Sequence, residues 1–107
     1  MNIDVPTLTQ LIQACFANAA DGRFSAAQQA QFSQLGKQLR AQLIGAISTQ
    51  FNAGTQSVVA LNNQLTAVNT QAAAAATNLA NVATTVANIT AVVNALVSVI
   101  QTASVHI

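Results

Sequence analysis

The residues able to do chemistry are few, and their spacing does not assemble them. Asp4 and Asp21 are the only acids, and they lie too far apart in sequence to suggest a paired general acid and base. His106 has no cysteine or carboxylate near it. Cys15 is the single cysteine, so no intramolecular disulfide can form, and it reads as a small buried hydrophobe. Serines and threonines are abundant, but none stands beside a partner base. The reading therefore carries no catalytic residue, no metal ligand set, no cofactor and no small-molecule substrate; the expected class is non-enzymatic.

Two short patterns resemble known sites. Asp21-Gly22-Arg23-Phe24-Ser25 resembles the middle of an EF-hand loop, where a glycine makes the sharp turn and a glutamate closes the ligand set. Aligned on Gly22, the first, third and last ligand positions hold Ala17, Ala19 and Gln28. The missing carboxylates predict a helix–turn–helix joint rather than a calcium site. Thr55, Thr66 and Thr77 keep an eleven-residue spacing that resembles helical ice-binding proteins. Position 88 is Asn and ends that row, while Thr70, Thr77 and Thr84 follow a heptad instead.

Composition narrows the partners. Of 107 residues, 52% are hydrophobic and 5% charged, against about 25% charged in an ordinary soluble domain. The charged residues are Asp4, Asp21, Arg23, Lys37 and Arg40, with none in 41–107. Three basic residues cannot neutralise a run of phosphates, which excludes nucleic acid, and there is no polybasic patch for anionic lipid. A net charge of +1 on a surface of amides and hydroxyls gives little repulsion between copies. Residues 1–10 lack a basic start and an apolar core, so no signal peptide is expected. Residues 82–100 are the most apolar but carry Thr, Asn and Ser throughout, short of a clear transmembrane helix. The expected location is cytoplasmic, or outside by a route needing no signal.

These residues sit on strongly periodic elements. Leu8, Leu11, Ile12, Cys15 and Phe16 stripe a helix over about 5–19, with Asp4 as N-cap and Pro6 in the first turn. Ser25 and Gln28 form a capping box that opens a helix over about 25–51, striped by Phe32, Leu35, Leu39, Leu43, Ile47 and Phe51. Gly36 and Gly45 lie inside it and predict close approach of another helix. Asn52-Ala53-Gly54 stops it.

From Val58 the apolar positions step by three and four without exception: Leu61, Leu65, Val68, Ala72, Ala75, Leu79, Val82, Val86, Ile89, Val93, Leu96 and Ile100. No proline or glycine interrupts them. This predicts one long C-terminal helix over about 57–104 with coiled-coil heptads, a rod of roughly 70 Å. Its flanks change along its length. One flank runs from Gln64 and Gln71 to Thr85, Val92 and Val99, and the other from Asn62 and Asn69 to Val97.

The expected fold is all-α: three helices in a single helical-hairpin domain over 1–107, the two shorter ones antiparallel along the long one. The second helix reaches only to about Thr84 and leaves 86–100 bare. Val86, Ile89, Val92, Val93, Leu96, Val97, Val99 and Ile100 are then the candidate assembly or partner face, with the first helix covering one side and a second copy the other. This predicts a structural protein that self-assembles as a filament, shell or appendage subunit. A membrane-active helical protein, pore-forming or coating a lipid surface, is one alternative. A module that binds another protein's helix is the other.

Overall fold

Asp4 opens the first helix by accepting the Thr7 backbone N–H at 3.2 Å and the Thr7 hydroxyl at 2.8 Å. In the computed structural model, which describes residues 2–51 and 55–105, that helix is α1, Val5–Ala19. It turns its apolar face inward, burying Leu8, Leu11, Ile12 and Cys15. At the following turn Asp21 accepts the Arg23 backbone N–H at 2.9 Å and its guanidinium at 2.7 Å. The Ser25–Gln28 capping box is formed in both directions and starts α2, Ala26–Ala41. Phe24 and Phe32, rings 5.1 Å apart, seal the interior beneath that turn.

The expected second helix ends ten residues early. At Gln42 the N–H bonds Leu39 rather than the residue four back, and a short separate helix follows: α3, Leu43–Ser48. Its Ala46 is fully buried, while Ile44 and Ile47 face outward. Ile47 therefore leaves the stripe in which the periodicity put it. The stop expected at Asn52-Ala53-Gly54 lies outside the described residues, as does His106.

The one long helix expected over 57–104 is two helices. α4 is Gln56–Ala74 and α5 is Val82–Val105, joined through single 3-10 turns at Ala75–Thr77 and Leu79–Asn81. The reversal pivots on Asn78, at φ −140° and ψ 58°. Thr77 bonds its hydroxyl back to Ala74 O at 2.9 Å, and Asn81 bonds the Asn78 side chain at 3.1 Å. The Thr77 hydroxyl competes with the helix for a backbone carbonyl in this way, and Thr and Asn are weak helix formers. The gain lies elsewhere: a hairpin buries both halves of the seam, which a lone rod leaves in water.

Four helices pack together, with no strand among the described residues. α1 lies on α2 and α4, and α5 on α4 and α2. Contacts at Asp4–Asn62, Gln10–Asn69 and Asn18–Ala72 rise together in both numbers, so α1 and α4 run parallel. The expectation that the second helix pairs with the third as a hairpin is thus corrected; the hairpins are α1–α2 and α4–α5. The chain passes from α2 to α4 across one end of the bundle, where α3 packs on α1 and α5. The long axis measures 44 Å rather than the expected rod length.

Candidate functional site

The eight residues of the expected assembly face do share one side of α5, but that side is turned into the molecule. Ile89, Val92, Val93, Leu96 and Val99 are buried. Val86, Val97 and Ile100 are half-buried at the margins. Within the chain the stripe is covered by α4, α2 and α3, where α1 was expected. Folding back at Asn78 brings α5 alongside α2, which the geometry of a continuous rod forbids. The buried face is also rotated from the expected seam. Thr85, Val92 and Val99 go inward, whereas Val86 and Ile100 move to the edge.

The flanking amides act as connectors between helices. Asn62 accepts the Asp4 backbone N–H at 2.8 Å and donates to Asn2 O at 3.1 Å. Asn69 donates to Gln10 at 3.0 Å, tying α4 to α1. Asn88 donates to Gln71 at 2.8 Å, tying α5 to α4. Asn18, nearly buried, donates to Ala72 O at 3.0 Å. No buried side-chain N or O among the described residues lacks a partner. Hydrogen-bonding amides thus take the place of charge pairs in setting which helices meet and in what register.

Both internal glycines of the second predicted helix mark close approaches. A Cβ on Gly36 would stand 3.1 Å from the Phe16 ring, and one on Gly45 would stand 3.2 Å from Ile100. Arg40 caps the same ring, its guanidinium carbon 5.2 Å from the Phe16 centroid.

Chemically competent groups stay apart. Among the described residues no three His, Cys, Asp or Glu gather as a metal site. The Asp21 carboxylate is engaged by Arg23, whose hydrogen bond holds it below the usual carboxylate range. Burial pushes the Cys15 thiol up to about 12, away from nucleophilic use. A cleft of about 340 Å³ opens at the α4–α5 turn between Gln71, Asn78, Asn81 and Thr84, and its lining holds no titratable side chain.

Among the described residues three large apolar side chains are exposed instead: Ile44 at 79%, Ile47 at 60% and Leu79 at 48%. Periodicity assigned Ile47 and Leu79 to the core. The available signals were Gly45 inside the stripe and the Thr77-Asn78 pair inside the seam. No family model, curated protein or solved structure matches this chain.

Proposed function

We propose that this chain is a non-enzymatic structural protein that assembles with copies of itself through uncharged helical surface. The observation that carries this reading is the α3 end of the bundle. There Ile44 and Ile47 stand in solvent, side by side on one short helix. Exposed apolar groups on a surface with almost no charge favour association, since burial between copies removes them from water without separating ion pairs. Support for this reading comes from the exposed isoleucines of α3, since the α5 stripe that periodicity suggested is largely covered within the chain.

Sedimentation velocity over a wide concentration range tests it. Wild type is expected to form concentration-dependent large species. Ile44→Gln combined with Ile47→Gln, both at exposed positions, shifts it to monomer without loss of helicity. A wild type that stays monomeric at the highest concentration sinks the reading.

One observation favours a membrane-active reading in second place. Residues Leu79–Thr102 are long and apolar enough to cross a membrane, at a mean hydropathy of 1.7, although a third of that window is buried in the bundle. Release of dye from neutral or anionic vesicles supports this reading, and intact vesicles with no bound protein reject it.

A further inference from the structure

The α4–α5 reversal contains no residue that a reversal requires. Positions 75–81 read Ala-Ala-Thr-Asn-Leu-Ala-Asn, without glycine or proline. Ala75 (φ −59°, ψ −39°) and Val82 (φ −59°, ψ −42°) on either side already have helical backbone, and Asn78 departs from it. Across this turn the apolar spacing does not slip. Ala72, Ala75, Leu79 and Val82 continue the alternation of three and four. A reversal leaves the phase of the next helix free, so an unbroken register means both halves also suit a single helix. Leu79, the seam residue within the turn, is the one left 48% exposed.

We propose that α4 and α5 open at Asn78 into one continuous helix, and that two copies of the chain then exchange α5. This rests on the self-assembly reading and supplies a route for it. In the exchanged pair each α5 occupies the place the other has left, against the partner copy's α4, α2 and α3. All those contacts are remade between copies, so the balance is decided at the hinge and by the entropy of association. Opening replaces two 3-10 turns with regular helix and moves Leu79 from solvent onto the seam. Because α4 and α5 are antiparallel in the closed chain, the two continuous helices run antiparallel about a two-fold axis beside Asn78. The Leu79 side chains of the two copies meet near that axis. Ile89, Val92, Val93, Leu96 and Val99, interior in the closed chain, and Val86, Val97 and Ile100 at their margin become the contact between copies.

The experiment uses two hinge variants and a crosslink. Leu79→Pro is accommodated at the first position of a 3-10 turn but breaks a continuous helix. It should lower the dimer association constant about a hundredfold or more. Asn78→Ala replaces a weak helix former with the best one, and should raise that constant about fivefold. For the crosslink, Gln71 and Asn88, whose side chains touch across α4–α5 at 2.8 Å, are both changed to cysteine. The purified dimer is then treated with a short bis-maleimide. Exchange joins one copy to the other and yields a covalent dimer on a denaturing gel. Association through α3 alone joins each copy to itself and yields a monomer band. Assembly with only monomer bands, in wild-type and Asn78→Ala hinges alike, overturns the exchange and leaves the self-assembly reading standing. No assembly in any variant overturns both.

Discussion

Cys15 has no exposed surface on the buried side of α1, and its thiol is pushed up to about 12 by that burial. In the unfolded chain the same thiol ionises near 8.5. Ionisation therefore favours unfolding. Its contribution to stability is complete below the unfolded value and is lost as pH rises towards the folded one. The loss is about 1.4 kcal/mol per pH unit through that window. Thermal melts across the alkaline range should show the decline, and Cys15→Ala should melt lower at neutral pH but without that slope. Asp21 works in the opposite direction. Its carboxyl, held low by the Arg23 hydrogen bond, contributes above the unfolded value and is lost as pH falls through the folded one. That pair is exposed, so its effect is small. The glycines were legible at this scale. Gly36 and Gly45 each admit one large side chain from another helix, Phe16 and Ile100.

At the scale of elements, caps and stripes were readable where local bonds decide the outcome. α1 spans the predicted residues, and the Ser25–Gln28 box starts α2 one residue from its predicted start. Breaks were not readable where local preference is overruled by packing. The alanines of 72–76 favour helix, yet α4 ends among them. Ala72 O takes a tight bond from Ala75 N–H and a second from Asn18 of α1. The break is thus held in part by a distant side chain. Asn18→Ala removes that second bond and should cost about 1–2 kcal/mol. The check is a urea midpoint that falls while the slope of the transition stays unchanged. A stability equal to wild type would show that Asn18 does not support the turn.

For the whole molecule, the decisive fact is that α5 folds back. The closed chain has a Cα radius of gyration of 13.9 Å. A straight rod of roughly 70 Å would have about 20 Å. Small-angle scattering from the monomeric fraction should give a value close to the former, slightly raised by side chains and hydration. A monomer near the latter would mean that the hairpin opens without a partner. The same fold-back explains why a stripe expected to be bare is largely covered within the chain. Its residues were recognised as one face, but a helix read as a rod shows bare whatever its own hairpin covers. The exposed isoleucines lie at the α3 end, created when the chain crosses the bundle from α2 to α4. No periodicity encodes that crossing.

The sequence by itself determined the helical class, the apolar faces, the N-caps, the glycine contacts and the scarcity of charge. Each depends on residue type and on spacing within a turn or two of helix. It also determined that Asn62, Asn69 and Gln71 flank the seam, though not that they bond to α1 and α5. Tertiary structure alone decided where the long apolar run reverses and which helix covers α5. It also decided which isoleucines stay in water. Those outcomes turn on burying both halves of one seam in a single bundle, a gain shared over the whole chain and invisible in any local window. The hinge at Asn78 is where the two levels disagree, since local register suits one helix and packing chooses two.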